Sequence, residues 1–255
     1  MTRFRRLVLE LGHGAVDPET MRQAAAFAHL MDAELHALFV EDETLLHASA
    51  LPFAREISPL SCQWRPLETE RLEAELRAAA DQARQQLLEA TRATGVRRSF
   101  EVRRGDLALH VTDTCVATDI VVISPARRMG TMHGVQRLSD TACRSAASVL
   151  FLPPRAGRHH GVIVAVAAGA DDPALDVARR IAAQEREGLL VLTPIEIGVD
   201  EAGTIRLLPG YSVQDVVAAL GDMRERLIVL TRDGIGEGTD LAAARGVPVL
   251  VLGPV

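Results

Sequence analysis

Arg127 and Arg128 stand just past the apolar run of VVISPARRMGTMHG, residues 121–134. A guanidinium pair at the end of a strand can grip an anion by charge; the competing reading is a solvated loop carrying the chain's only kind of permanent cation. The sequence contains no lysine, which excludes a phosphate-loop lysine and a Schiff-base lysine. Gly12-His13 follow the first apolar run, where an imidazole can meet an anionic ligand or act as a base. No carboxylate or nucleophile stands at a telling spacing, so an ordinary loop histidine competes with that role. Val40-Glu41, with Asp42, end the second apolar run, where an acid commonly meets a ribose hydroxyl or is simply exposed. TRDGIGEGTD sets Gly234, Gly236 and Gly238 ahead of Thr239, a compressed amide nest or a surface turn, and Glu237 argues against a polyphosphate there. His159-His160 have no further ligand nearby, so no metal site is expected.

Composition narrows the classes further. Net charge is −6 and the arginines are scattered, so nucleic acid is not an expected partner. Cys62, Cys115 and Cys143 are far apart with no CxxC spacing, and read as reduced thiols, the last two packed on helices. No apolar run reaches membrane-spanning length and no signal peptide is evident, so the expected setting is the cytoplasm, with no membrane partner. Abundant aliphatics with only 3% aromatics suit sheets covered by Ala/Leu-rich helices.

These candidates sit on a plan that occurs twice. Leu7-Val8-Leu9 and Val162-Ile163-Val164 open the two copies, each followed by a helix start, AVDPETM and GADDPAL. Pro18 and Pro173 fit a first helical turn, with Asp17 and Asp172 as N-caps. The runs ELHALFVED and GLLVLTPIE correspond, as do SFEVRRGD and TIRLLPGY, which sets Gly105 opposite Gly210. DIVVIS matches RLIVLT, and SVLFL matches PVLVL. Alternating strands and helices predict α/β architecture with two doubly wound, mostly parallel sheets of Rossmann-like kind.

The offset between copies is 155 at the first strand but 105 at the glycine pair, so the second copy lacks about fifty residues. In the first copy that stretch holds a long helix with Leu72, Leu76, Ala83, Leu87 and Ala90 on one stripe, Pro66 near its start and Gly95 at its stop; Glu73 and Arg77 pair on its solvated face. IGVDEAGT replaces it in the second copy, too short for a parallel crossover, which predicts an antiparallel hairpin closed near 200–203. The expected organisation is a domain over 1–154, a linker over 155–160 and a shortened domain over 161–255. Residues 44–64 carry the only tryptophan and no clean period, as expected of a loop that covers a ligand cleft or a partner subunit.

On these matched runs the arrangement resembles the universal stress protein family in tandem form. The resemblance implies that Ser148–Leu152 and Pro248–Leu252 pair antiparallel about a pseudo-twofold axis, and that the chain forms a homodimer. It also implies a ligand cleft touching Gly12, His13, Val40, Glu41, Gly105, Ser124, Arg127, Arg128 and Gly130. Nucleotide-binding members carry an acid at the end of the first strand, where this chain has Leu11 or Glu10, and Ala167 or Ala168. A shift of one residue would put Glu10 on the opposite face. After the fourth strand they carry two spaced glycines, then Gly-Ser/Thr nine residues on. Ser124 and Arg127 occupy the first two places, Gly130 and Gly134 are out of register, and Pro125 removes an amide donor. The second copy retains Gly238-Thr239 without the spacer.

The expected function is therefore a non-catalytic, stress-related binding or regulatory protein with no cofactor and an unknown protein partner. The alternative is an adenine-nucleotide-binding stress protein that holds ATP or AMP through a reshaped first-copy loop, with slow hydrolysis at most. A nucleotide hydrolase of the wider group would need a Ser-Gly-Gly-rich loop after the first strand, and ELGHGAVD does not supply one.

Overall fold

Short aliphatic runs become buried strands here because helices cover both of their faces. The structure is a computed structural model. It describes residues 4–11, 17–41, 43–57, 62–105, 110–111, 114–124, 140–153, 158, 160–197, 203–232 and 238–254. In chain order the elements are β1 (Arg6–Leu11), α1 (Pro18–Leu30), β2 (Glu34–Glu41), α2 (Glu43–Ser49), β3 (Arg55–Ile57) and β4 (Trp64–Pro66). Then come α3 (Thr69–Arg92), β5 (Arg98–Arg104), β6 (Asp119–Ile123), β7 (Ser148–Phe151) and β8 (Val162–Val166). The remainder is α4 (Pro173–Glu185), β9 (Leu189–Thr193), β10 (Gly203–Leu207), α5 (Val213–Leu220), β11 (Glu225–Thr231), α6 (Gly238–Arg245) and β12 (Val249–Leu252).

Ten of these strands form one sheet, ordered β10-β9-β8-β11-β12-β7-β6-β1-β2-β5. Read outward from its centre, each half runs fifth, fourth, first, second, third strand. The centre is the antiparallel pair β7–β12, with Leu150 opposite Leu250. That pairing of the two last strands is the one the resemblance implies. All other neighbours in the sheet are parallel.

The expected hairpin is a correction. β10 lies parallel to β9, Gly203 beside Leu189 and Leu207 beside Thr193. A five-residue strand is only about 16 Å long. The nine residues of 194–202 can extend to about 30 Å, enough to return to the start of β9 without a helix. The rule of a dozen residues assumes that a helix makes the crossing.

Two apolar layers flank the sheet. Leu7, Leu9 and Leu11 of β1 face α1 and α3, and the same layer continues through Leu150, Leu250 and Ile163 to α4. Val8, Val121, Val149, Val249 and Ile228 face the other way, against Ala142, α5 and α6. Helices α1 and α4 start as the sequence suggests: Asp17 accepts from the Glu19 amide at 3.2 Å and Asp172 from the Ala174 amide at 2.9 Å. Helix α3 buries Leu72, Leu76, Ala83 and Leu87. The second half has no counterpart of α3 among the described residues, and on the corresponding side Ile195, Ile205 and Leu207 are exposed.

Residues 44–64 are not one irregular loop. They include α2 and the small antiparallel ribbon β3–β4, tied down by Glu56, which accepts from both Arg65 and Arg71. Trp64 is 62% exposed and Phe53 76%, so neither covers a cleft of its own chain.

Candidate functional site

In an open parallel sheet the natural ligand crevice lies where strand order reverses, outside the carboxyl ends of the strands. Here that happens twice, between β1 and β6 and between β8 and β11.

At the second crevice the described side chains bond to the protein itself. Asp172 caps α4 with one carboxylate oxygen, while Oδ2 accepts from the Ala168 amide at 2.8 Å and contacts the Thr231 hydroxyl at 3.4 Å. The Tyr211 hydroxyl donates to the Ala167 carbonyl at 3.3 Å. Partial burial and the nearby Asp172 carboxylate push the phenol above its ordinary value of 10.0, keeping it a neutral donor. Arg232, just past β11, bonds the carbonyls of Ser145 at 2.7 Å and Ala147 at 2.8 Å in the first half. Among the described residues, Asp172, Tyr211, Thr231 and Arg232 at this crevice are thus engaged within the protein.

Around the first crevice the candidates separate. Ser124, at the end of β6, sits 3.4 Å from the Thr20 hydroxyl in the first turn of α1. Leu11 is fully buried at the end of β1, on the α1 side of the sheet, and Glu10 takes the opposite face. Val40, Glu41 and Gly105 stand farther out. Val40 packs on the α5–α6 side of the sheet, while Glu41 is held by Arg104 at 2.7 Å. Arg104 is also 3.6 Å from Glu73 of α3. The Gly105 amide donates to the Glu41 carbonyl at 3.2 Å, with a φ of +126° that suits a glycine. Gly12, His13, Arg127, Arg128, Gly130, Gly234 and Gly236 lie outside the described residues. Gly238 is buried at the start of α6, and Thr239 is exposed.

No protein-family profile matches the sequence, and no curated protein does. Solved structures do. A universal stress protein from Archaeoglobus fulgidus DSM 4304 superposes with a TM-score of 0.61 at 13% identity, over 96% of each chain. A Pseudomonas aeruginosa UCBPP-PA14 protein, assigned provisionally to the same class, gives 0.57 at 13% identity over 98% of this chain and 94% of its own. The chain has the universal stress protein fold. The cytoplasmic domain of a prokaryotic cation chloride cotransporter shares it, with a TM-score of 0.55 at 11% identity over 97% of this chain and 95% of that one.

Within the universal stress fold, several groups around the crevices gave no motif in the sequence. Tyr211 is the only tyrosine, and its loop position gave no reason to place it over β8. Asp172 was legible as a cap but not as a bridge from Ala168 to Thr231. Arg104 reads as one of many surface arginines until β5 is set beside β2, Glu41 opposite Arg104.

On the outer strands, His36 Nδ1 is 2.9 Å from Ser99 Oγ and its Nε2 is 3.4 Å from Glu101. The Ser99 hydroxyl also meets Glu34, so the serine is held between two partners and is not poised as a nucleophile. Burial, and secondarily Arg6, lower the His36 pKa below its ordinary 6.5, against the pull of Glu101 and Glu34. Among the described residues no helix is long and apolar enough to cross a membrane. No cluster of three or more metal-ligating side chains occurs among them either.

Proposed function

We propose that this chain is a non-catalytic binding or regulatory module of the universal stress type that does not hold adenine nucleotide in the usual mode. The observation that carries this reading is the second crevice, where the Asp172 carboxylate takes the Ala168 and Ala174 amides and the Thr231 hydroxyl, donors a phosphate would need, and the Tyr211 hydroxyl is spent on the Ala167 carbonyl. Leu11 supports it in the first half, an apolar residue fully buried where nucleotide-binding members have an acid. Ion pairing of Glu41 with Arg104 supports it too, because a ribose would have to compete with a guanidinium. A neighbour of the same fold is the cytoplasmic domain of a transporter, which fits a module that acts through a partner. Exposed Trp64 and Phe53 offer surface for such a protein or for a second copy in a homodimer.

Calorimetric titration with ATP, AMP and cyclic dinucleotides tests the reading. The expected result is no saturable heat. Micromolar binding that Arg127→Ala abolishes would establish instead the reshaped-loop alternative, with Ser124, Arg127 and Arg128 as anion contacts. The arginine pair that follows β6 in the sequence and the Ser124–Thr20 approach are what favour that second reading.

A further inference from the structure

A cleft of about 290 Å³ lies between α1 of the first half and the start of β11 and β12 in the second. Its apolar floor is Ala26, Phe27, Leu30, Leu227 and Pro248. Its charged wall is Arg22, Arg158 and Arg226 against the single acid Glu19. Three guanidiniums line the cleft, while Glu19 is the only carboxylate that lines it with them. Each arginine is anchored: Arg22 by Glu19 at 2.5 Å, Arg158 by Glu225 at 3.6 Å and Arg226 by Glu185 at 2.6 Å. A guanidinium has five N–H donors, and an anchor that takes one or two orients the others while leaving them for a ligand. Gln23 donates to Glu19 at 3.3 Å, which fixes its amide, and its buried Oε1 meets no donor among the described residues.

The location also suits a ligand. Because β7 and β12 are antiparallel, with Val249 opposite Phe151, the start of β12 lies level with the carboxyl end of β7. The cleft therefore runs along α1 from Glu19, on the strand-end side of the first half where ligands usually gather, to Leu30, and borders the starts of β11 and β12.

We propose that this cleft binds a small organic monoanion with an apolar body, an arylalkyl or branched aliphatic carboxylate. At roughly 30 Å³ for each water-sized unit the cleft holds about ten non-hydrogen atoms. The apolar part lies on Phe27, Leu30 and Leu227, and the carboxylate meets Arg226 with Arg22 or Arg158. A polyphosphate does not fit, since more than half of the lining is apolar and Glu19 opposes a second negative charge. The proposal supplies a ligand class for the non-nucleotide reading and rests on it only in that sense.

The test is titration of the full chain with 3-phenylpropionate, followed by amide chemical shifts and by calorimetry, with 3-phenylpropanamide and ATP as separate arms. The expected result is saturable binding with shifts confined to α1 and the start of β11. Affinity falls about tenfold or more for the neutral amide and for Arg226→Ala, the scale of one lost charge-assisted contact. Ala26→Trp, at an exposed helix position, fills the cleft and abolishes binding with the fold retained by circular dichroism. Should Arg226→Ala fail to fold, Arg22→Ala on the solvent side of α1 gives the same comparison. Absence of saturable binding, equal affinity for the amide, or binding that survives Ala26→Trp overturns the proposal. ATP binding bears on the non-nucleotide reading alone, so the two can fail separately.

Discussion

Gly238 has two explanations, and one substitution separates them. As part of a phosphate nest it would be glycine so that its amide can approach a ligand. In the structure it is glycine because α6 presses on the joint between the halves. A Cβ there would lie 2.6 Å from Cδ2 and Cε2 of Phe151, and 2.9 Å from a methyl of Val251. Carbon atoms prefer about 3.5–4.0 Å, so roughly 1 Å of overlap must be relieved. Phe151 and Val251 are both buried and have little room to yield. Overpacking of this kind costs about 1–3 kcal/mol. The better helix propensity of alanine offsets up to about 1 kcal/mol in a helix interior and less at a first residue. Gly238→Ala should therefore lose about 1–2 kcal/mol in urea unfolding. The decisive measurement is a double-mutant cycle with Phe151→Ala, which removes the clashing ring carbons. If the clash is the cause, the pair should be coupled by about 1 kcal/mol or more, the double variant being more stable than the sum predicts. Additive effects, or a Gly238→Ala protein with an unchanged midpoint, would refute the packing explanation and return the nest to consideration.

Arg6 meets Asp119 through Nε at 2.9 Å and Nη2 at 2.7 Å, and Asp119 is fully buried; Arg6→Ala should cost about 3 kcal/mol in urea unfolding, partly recovered in Arg6→Ala/Asp119→Asn. An unchanged midpoint would show that the pair contributes nothing. Burial first, and then the Asp119 charge, push the Cys115 thiol up to about 11, so at pH 8 only about one molecule in a thousand carries its thiolate. A thiol-reactive dye should label exposed Cys62 in the native protein and leave Cys115 until unfolding; equal rates would contradict the burial argument. His36 is held neutral by burial, so the unfolded chain takes up its proton more readily. Its contribution to stability is complete above the ordinary value of 6.5 and is lost as pH falls from there through the lower folded value. His36→Gln should flatten the fall in urea midpoint between about pH 7 and pH 5, and an identical slope would sink this account.

The fold was more legible than the site. Strands and helix starts could be read because each carries a local signal: period and length for β1 and β8, Asp-Pro for α1 and α4. The joint between Leu150 and Leu250 followed from the resemblance between the two closing strands and a known family. The direction of β10 could not be read, because whether a nine-residue connection turns back or crosses over depends on the length of the strand it must pass. Of the two roles expected for residues 44–64, Trp64 does not cover a cleft of its own chain, because a short ribbon held by Glu56, Arg65 and Arg71 presents it outward. Site residues were hardest. Asp172, Tyr211 and Thr231 meet across 59 positions of sequence, and the arginines of the cleft come from three separate segments. No spacing rule reaches across such distances.

Loss of the α3 counterpart constrains where the second half can act. Its outer strand presents Ile205 and Leu207 to solvent, and Arg206 is turned to the Ala219 carbonyl of α5. The first half ends instead in β5, where Arg98, Arg103 and Arg104 would set like charges against each other in any self-pairing about a twofold axis. The shortened half keeps an interior of β8, β9, β11 and β12 but, among the described residues, has neither a crossover helix before β10 nor an unengaged Asp172 at its crevice. What it still contributes lies toward the joint: Arg232 on the first half's carbonyls, Gly238 on Phe151, and Arg226, Leu227 and Pro248 as the far wall of the cleft under α1. If the cleft binds as proposed, the second half acts on the ligand through its neighbour, because the α1–β11 cleft is where the two surfaces meet.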